Sequence, residues 1–208
     1  MTAPSMRHGC VILANGDFPR KGGKPWRLLA GARRVVACDG AAVTYRRRFG
    51  RWPDIVIGDM DSIDGGRLAL SGVTLVVRED PSTNDLSKAL HYCRAQGWRD
   101  FVVVGAAGRR EDHAIGNVFR ALEEGVPVVS DYGEFRPVCG AASFRCRKGA
   151  GVSVFAPDPK TRMTSRGLVW PLDGVRFRNL YCATLNRTAG RSFSVTADRP
   201  VFVYIADS

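Results

Sequence analysis

Across about the first 130 residues, short apolar runs alternate with stretches at helical spacing, and this alternation limits the fold more than any other feature. The runs are rich in β-branched residues and apolar throughout, which is typical of strands covered on both faces. Strands are predicted at Val11–Ala14, Val35–Cys38, Ile55–Ile57, Val73–Val77, Phe101–Val104 and Val126–Ser130. Helices are predicted near Pro25–Leu29, Ala41–Phe49, Asn84–Gln96 and Asp112–Glu124. The repeated order predicts an α/β domain with a mostly parallel sheet flanked by helices.

The pattern changes after about Tyr132, where short segments of alternating apolar and polar residues replace the helical spacing. Turn residues such as Asp173-Gly174 separate these segments. Strands are predicted at Ser143–Arg147, Val152–Phe155, Arg191–Thr196 and Val201–Ile205. This part of the chain therefore predicts an antiparallel β-sandwich or a small barrel. We expect two domains, residues 1–131 and residues 132–208.

The composition of the chain indicates in which cellular compartment it works. No apolar run approaches the roughly 20 residues needed to cross a bilayer, and residues 1–10 lack the apolar core of an export signal. Neither a membrane partner nor export is therefore expected. The six cysteines are scattered without a C-x-x-C pair, which disfavours a zinc site or a disulfide framework and favours the cytoplasm.

The net charge of +11 leaves a second class of protein open. An excess of arginine attracts polyanions, so a nucleic-acid-binding module is an alternative to an enzyme. The densest basic run, Arg46-Arg47-Arg48, is not interleaved with the aromatic side chains that a single-strand-binding surface uses. That alternative also gives no role to the acidic residues at the strand ends, so we expect no nucleic-acid partner.

Four successive predicted strands end in one or more carboxylates, and three of these ends also carry a glycine. In parallel α/β sheets, ligands bind beyond the carboxyl ends of the strands, and clustered carboxylates repel one another unless a hard cation binds among them. One Asp39-Gly40 pair is ordinary turn chemistry, and Asp85 could simply begin a helix. The recurrence at four ends nevertheless favours a binding site. The ends carry Asp39-Gly40, Gly58-Asp59, Glu79-Asp80 with Asp85, and Gly105 through Asp112 and His113.

Two of these ends predict phosphate chemistry. Asp59 and Asp61 differ by two positions, so in an extended segment their side chains point the same way, about 6.5–7 Å apart. Carboxylates so spaced can share one magnesium ion, which prefers one or two carboxylates with water and phosphate oxygens. The small residues of Gly105–Gly108 let backbone N–H groups approach a phosphate at a helix start, beside Arg109 and Arg110. The chain has neither a Walker-type phosphate loop nor a dinucleotide-binding fingerprint.

In order and spacing, a series of motifs resembles the thiamine pyrophosphokinase family. The motifs are Asp39-Gly40-Ala41-Ala42, Gly58-Asp59-Met60-Asp61-Ser62, the helix start Asn84-Asp85-Leu86-Ser87-Lys88, and Gly108 through Asp112-His113 to Asn117. The resemblance continues into Gly167–Leu172, with a weaker match at Thr184-Leu185-Asn186, and so spans nearly the whole chain.

The resemblance implies a magnesium-dependent transferase with a defined reaction. The β,γ-pyrophosphoryl group of ATP passes to the hydroxyethyl oxygen of thiamine, which gives thiamine diphosphate and AMP. It also implies an N-terminal α/β catalytic domain that binds nucleotide and metal. A C-terminal β-sandwich contributes the thiamine pocket and dimer contacts, in a homodimer with active sites between subunits.

The resemblance also implies roles for individual residues. Asp59, Asp61 and Asp85 are the magnesium ligands and, with Asp112, the catalytic carboxylates. Asp112 accepts or orients the thiamine hydroxyl proton, and His113 is the alternative base. Trp170 packs on the thiamine rings, and a tryptophan of the sandwich core is the alternative reading. The residues expected at ATP are Asn15, Asp39, Gly40, Ser62, Lys88, Arg110 and His113, and those expected at thiamine are Trp170 and Asn186.

The chain departs from the family pattern at three places. Asn84 stands where threonine is common, and Arg109-Arg110-Glu111 stands where a glycine and an apolar residue are commoner. Leu185 replaces the serine of the last motif. Because a lost hydroxyl alters the hydrogen bonds open to an acceptor, a related pyrophosphokinase acting on another alcohol, such as a pterin, is an alternative.

Overall fold

A computed structural model of the chain describes residues 9–60, 72–78, 80 and 82–207. The chain divides into two compact units, Met1–Asp131 and Tyr132–Ser208. None of the helices in the described ranges has both the length and the apolar character that a membrane span requires. Two of the predicted site residues, Asp61 and Ser62, lie outside those ranges.

The first unit is built on a parallel sheet, of which six strands lie in the described residues. Its strands are β1 (Cys10–Leu13), β2 (Val35–Cys38), β3 (Ile55–Gly58), β4 (Thr74–Val77), β5 (Phe101–Val104) and β6 (Val128–Val129). They lie in the order β6-β5-β1-β2-β3-β4, and each neighbouring pair is parallel. The parallel α/β architecture predicted from the apolar runs is therefore confirmed.

Helices cover both faces of this sheet. They are α1 (Lys24–Gly31), α2 (Ala41–Phe49), α3 (Asp85–Ala95) and α4 (Glu111–Glu123). On one face Val11 and Val35 share a buried cluster with Leu29 of α1 and Tyr45 of α2. Alternate residues of a strand point to the opposite face, and there α3 contacts β1, β2 and β3.

One predicted strand is not buried on both faces. In β4, Thr74 and Val77 are exposed. The strand stands at the end of the sheet order with β3 as its neighbour. A sequence of apolar residues therefore forms an edge strand here, because position in the sheet and not composition decides how much of a strand is covered.

The second unit is antiparallel. Its strands are β7 (Gly133–Arg145), β8 (Gly151–Phe155), β9 (Met163–Arg166), β10 (Ala183–Arg187) and β11 (Ser192–Ala206). β11 pairs with β7 along its length, and the register shifts between Ala197 and Val201. On its other edge β11 pairs with β9 before the shift and with β8 after it, and β8 pairs with β10. The long strand β11 thus connects β7, β8 and β9 in one antiparallel arrangement.

The prediction of separate strands at Arg191–Thr196 and Val201–Ile205 was wrong, since both belong to β11. The turn-like residues Asp198-Arg199-Pro200 form a bulge within one strand instead of a loop between two. Proline cannot donate a ladder hydrogen bond, and a bulge is one of the places where a strand tolerates it.

Candidate active site

The carboxyl ends of the parallel strands gather the loops in which the acidic motifs were found. The strand order reverses between β1 and β5, so the loops that follow these two strands diverge at a crevice where ligands of α/β proteins bind. We call this edge of the first unit the acidic edge. Its described loop residues are Asn15–Asp17, Asp39–Gly40, Asp59–Met60 and Gly105–Arg110, together with the start of α3.

The loops after β1 and β5 interlock through their backbones. The Gly16 N–H donates to Gly105 O at 2.8 Å, and the Asp17 N–H donates to Ala107 O at 2.7 Å. A Cβ atom on Gly16 would lie 2.3 Å from Ala107 O, so this position needs glycine. The two chain segments on either side of the crevice are therefore held at a fixed separation.

The ends of β2 and β3 approach each other equally closely. Asp39 is 5% exposed and has a left-handed φ of 37°, and its N–H donates to Ile57 O at 2.8 Å. A Cβ atom on Gly58 would lie 2.8 Å from the Asp39 Cβ. Gly58 thus has a structural reason, because a side chain there would displace Asp39. Asp59, the next residue, is exposed at the acidic edge.

The start of α3 brings a carboxylate and a buried cation to the same edge. Asp85 Oδ1 lies 3.1 Å from Lys88 Nζ, and the Lys88 side chain is only 8% exposed. Burial, and then the negative charges of Asp85 and Asp39, raise the pKa of the Cys38 thiol at the end of β2. Asp39, Asp85 and Lys88, predicted from two motifs, are therefore close enough to act on one buried group.

Asn84 has a structural role where the family pattern commonly has threonine. Its Oδ1 accepts from the Ser87 N–H at 2.9 Å and so caps α3. Its Nδ2 donates to Asn117 Oδ1 on α4 at 3.0 Å. Asn84 thus ties the start of α3 to the middle of α4. Asn117, quoted in the sequence only as the end of a motif, is the partner.

Arg110 and Asp112 form a two-point ion pair at the start of α4. Arg110 Nε donates to Asp112 Oδ1 at 3.1 Å and NH2 donates to Oδ2 at 2.6 Å. The Arg110 hydrogen bonds, with a further one from the His113 backbone, lower the pKa of Asp112 to about 2. All three side chains are exposed. In this arrangement Asp112 is a weak base, and Arg110 is partly neutralised.

Within the described residues, the acidic edge supplies oxygen ligands suited to a hard cation. Asp59 and Asp85 provide carboxylates, and magnesium needs one or two of these with water and phosphate oxygens. No group of three potential metal-binding side chains is found among the described residues. The third predicted ligand, Asp61, lies outside them. The chemistry of the donors present fits magnesium better than a soft metal.

In the second unit, Trp170 and Asn186 are joined by a local clamp. Asn186 is 7% exposed, and its Nδ2 donates to Trp170 O at 2.7 Å while its Oδ1 accepts from the Trp170 N–H at 3.3 Å. The Trp170 side chain is 52% exposed, which excludes the alternative of a tryptophan in the sandwich core. The Arg187 guanidinium lies 5.5 Å from the centre of the indole ring, a contact that was not predicted from the sequence.

Trp170 and Asn186 line a groove of about 400 Å³, which we call the Trp170 groove. Leu185 also lines it, is 87% exposed and has a left-handed φ of 65°. The register of β10 shifts between Ala183 and Asn186, which explains why this strand was not predicted from the sequence. An apolar side chain on such a backbone is unusual and marks the groove as a candidate binding surface.

A wider groove of about 1230 Å³ in the same unit bears on the nucleic-acid alternative. The basic side chains lining it are Lys160, Arg162, Arg176, Arg178 and Arg199. Phe177 is the aromatic residue among the described residues of its lining, and it is only 1% exposed. The groove therefore has charge for an anion but offers no stacking surface for unpaired bases.

Two family models match the chain, one on each unit. A model described as thiamin pyrophosphokinase, catalytic domain, matches residues 26–129. A model described as thiamin pyrophosphokinase, substrate-binding domain, matches residues 133–204. A protein named thiamin pyrophosphokinase 1 from Caenorhabditis elegans is 30% identical over an alignment of 131 residues, and the match covers 58% of this chain and 53% of that protein. The matched region is thus about half the length of that relative.

Solved structures share the fold over nearly the whole chain. Thiamin pyrophosphokinase from Candida albicans has a TM-score of 0.76 at 14% identity, covering 99% of this chain and 95% of that chain. Thiamin pyrophosphokinase from Geobacillus thermodenitrificans has a TM-score of 0.74 at 21% identity, covering 96% and 97%. At these identities the likeness concerns the fold, and the family models carry the assignment. Since those models together cover both units, the chain belongs to the thiamin pyrophosphokinase family.

Proposed function

We propose that the chain is a magnesium-dependent ATP:thiamine diphosphotransferase. The hydroxyethyl oxygen of thiamine attacks the β-phosphorus of ATP and forms a new P–O bond. The bond from that phosphorus to the oxygen bridging the α- and β-phosphates breaks, and AMP leaves with that oxygen. The hydroxyl proton passes to a base, so the products are thiamine diphosphate and AMP.

The observation that carries this proposal is the gathering of carboxylates and cations at the acidic edge. Asp39, Asp59 and Asp85 follow different strands, yet the parallel sheet delivers them to one edge with Lys88 and Arg110. Phosphoryl-group transfer depends mainly on positioning and charge neutralisation, and this edge has groups for both. Membership of the family supports ATP and thiamine as the two substrates.

Magnesium is the proposed metal, held by Asp59, Asp61 and Asp85. When bound, it neutralises charge on the phosphate oxygens. Lys88, held by Asp85 and largely buried, keeps that carboxylate in place. The residues proposed to contact ATP are Asn15, Asp39, Gly40, Ser62, Lys88, Arg110 and His113.

Arg110 and Asp112 have linked roles in this proposal. A phosphate group competes with Asp112 for the planar donors of Arg110. When Arg110 turns to phosphate, Asp112 loses the hydrogen bonds that lower its pKa and becomes a better proton acceptor. Nucleotide binding would thereby prepare the base for the acceptor hydroxyl. His113, exposed and adjacent, is the alternative base.

The Trp170 groove is the proposed site of the acceptor. The second unit would thus supply the thiamine pocket and the dimer contacts. Residues 1–131 would form the catalytic domain. Thiamine is a cation, and an exposed indole face attracts cations. Asn186 fixes the backbone on both sides of the indole. We further propose a homodimer and a cytoplasmic location, the latter supported by the six free cysteines.

The proposal is tested by measuring AMP release from ATP in the presence of magnesium and thiamine. Thiamine-dependent AMP formation that stops when EDTA is added is the expected result. Reactions without acceptor control for ATP hydrolysis, and reactions with a hydroxymethyl pterin test the alternative acceptor. AMP formed with the pterin but not with thiamine would keep the chemistry and overturn the acceptor.

A further inference from the structure

Arg109 has a backbone conformation that arginine seldom adopts. Its φ is 62°, and it follows Gly108, whose φ is 84°. Glycine enters this left-handed region without steric cost, whereas a residue with a Cβ atom is disfavoured there. Strained conformations of this kind concentrate at functional sites. The side chain of Arg109 is therefore the feature that needs an explanation.

That side chain reaches across the crevice between β1 and β5. Arg109 NH1 donates to Asn15 Oδ1 at 3.0 Å, and the two residues are 94 positions apart in the chain. Asn15 also lies beside the start of α2, since a Cβ atom on Gly40 would be 3.2 Å from Asn15 Nδ2. Arg109 is thus directed by Asn15 to the point where three strand-end loops meet.

The charge of Arg109 is not neutralised by the described part of the chain. Arg110, its neighbour, forms a two-point ion pair with Asp112. Among the described residues no ion pair is formed by Arg109, and its side chain is exposed. A guanidinium has five N–H donors in a planar fork that matches phosphate oxygens, and the bond to Asn15 uses one of them.

The base of this side chain is held rigidly. A Cβ atom on Gly108 would lie 2.1 Å from the Asp17 carboxylate, so the loop after β5 lies directly against the loop after β1. The Asp17 N–H donates to Ala107 O at 2.7 Å, just ahead of Arg109. Groups fixed before a ligand arrives bind it with a smaller entropic loss.

We propose that Arg109, oriented by Asn15, binds the polyphosphate chain of the nucleotide. The inference rests on the proposed function, because it names a further residue for the ATP of that same site. The rival explanation is that Arg109 serves only as a structural staple between the loops after β1 and β5. The two explanations differ in what replacing Arg109 by glycine does to stability.

The deciding experiment combines ATP binding, measured by calorimetry with magnesium present, and thermal unfolding. In Arg109→Gly we expect the Kd for ATP to rise about tenfold, as loss of a charge-assisted hydrogen bond implies. The Kd for AMP should change less, because AMP lacks the polyphosphate chain. Tm should stay the same or rise, because glycine suits the left-handed backbone.

Two further variants sharpen the result. Arg109→Lys keeps the charge without the planar fork, so we expect an intermediate loss of ATP affinity, about threefold. Arg191→Gln removes one exposed arginine of the second unit that lines neither groove, and so controls for net charge. An unchanged Kd for ATP in Arg109→Gly overturns the inference, as does a lower Tm with ATP and AMP weakened equally.

The outcomes for the unmodified protein keep the two proposals apart. Thiamine-dependent AMP release with an unchanged Kd in Arg109→Gly defeats the inference alone. Weaker ATP binding in Arg109→Gly, without AMP release by the unmodified protein, defeats the proposed transfer reaction and leaves Arg109 as a phosphate-binding residue. Absence of ATP binding in the unmodified protein defeats both.

Discussion

The acidic edge of the first unit and the Trp170 groove of the second are assembled in opposite ways. At the acidic edge, contacts join residues that are distant in sequence, such as Arg109 and Asn15. In the groove, Trp170 is held by Asn186, only 16 positions away. The edge is rich in charge, whereas the groove displays exposed apolar side chains such as Trp170 and Leu185.

Because the two regions are built differently, the residues for phosphate transfer and the residues for acceptor binding can be changed separately. The charged groups of the acidic edge sit on the core elements of a parallel sheet, so some of them also hold the fold. The groove side chains project from a framework that Asn186 fixes locally. We therefore expect changes at the edge to affect turnover most, and changes in the groove to affect acceptor affinity with little effect on ATP.

The largest effect is expected for the carboxylates of the acidic edge. Asp59→Asn and Asp85→Asn should each lower kcat by about 10²–10³-fold, as loss of a charge-stabilising group at a reaction centre does. The two variants should differ in stability. Asp85→Asn leaves the largely buried Lys88 ammonium without its carboxylate, which costs about 1–3 kcal/mol. Asp59 is exposed, and interactions of exposed charges contribute little, so its replacement should lower the free energy of unfolding less.

Turnover assays and denaturant unfolding of both variants check this prediction. Asp59→Asn with full activity would remove that carboxylate from the metal site. Equal stability of the two variants would show that the Asp85–Lys88 pair contributes little to the fold.

The next largest effect is expected for Trp170→Ala. Loss of a cation–π contact of about 0.5–2 kcal/mol should raise the KM for thiamine by about 2–30-fold. The KM for ATP and the Tm should stay close to their original values, because Trp170 is half exposed and belongs to the second unit. Trp170→Phe keeps an aromatic face, so its KM for thiamine should lie between those of the unmodified protein and Trp170→Ala. A change in the KM for ATP as large as that for thiamine would contradict the expectation that the groove acts on the acceptor alone.

The pH dependence of kcat/KM distinguishes the two candidate bases, because it reports groups of the free enzyme. Arg110 holds the pKa of Asp112 at about 2, so Asp112 stays ionised at all pH values above that range. If Asp112 is the base, protonation of the base does not lower kcat/KM near pH 6–7. An acid limb that disappears in His113→Gln would assign the base to His113.

The ion pair between Arg110 and Asp112 also determines whether stability rises or falls with pH, although the effect is small. A lowered carboxyl pKa stabilises the folded state above the ordinary pKa of aspartate, and that contribution is lost as pH falls towards 2. Since both side chains are exposed, the contribution is small. Asp112→Asn should accordingly lower kcat while leaving Tm at neutral pH almost unchanged.

The smallest effect is expected at Leu185. Leu185→Gly relieves the left-handed backbone and should raise the free energy of unfolding by up to about 1 kcal/mol, since the side chain is 87% exposed and little packing is lost. Leu185→Ser should leave stability within about 0.5 kcal/mol. It should also change the KM for thiamine a few-fold by adding a hydroxyl to the groove. Unchanged KM values for every acceptor tried would place Leu185 outside the acceptor site.

Much of the first unit could be predicted from the sequence because its apolar runs are short and nearly continuous. Runs such as Val35–Cys38 and Phe101–Val104 match β2 and β5 residue for residue. The carboxylates at four strand ends, three of them with a glycine, were also visible, and parallel pairing brings such ends to one edge. In the second unit β9 and β10 were missed, and β11 was divided at Asp198–Pro200, because turn-forming residues there create a bulge inside one strand.

The sequence alone determined the family, the α/β and β-sandwich classes, and the residue types available for phosphate chemistry, because these follow from local patterns and motif spacing. The tertiary structure alone decided which groups meet. It brought Arg109 to Asn15, Asn84 to Asn117, and the Gly16 N–H to Gly105 O. Those contacts depend on how separate strands and loops are placed side by side, and no local pattern in the chain encodes the distance between them.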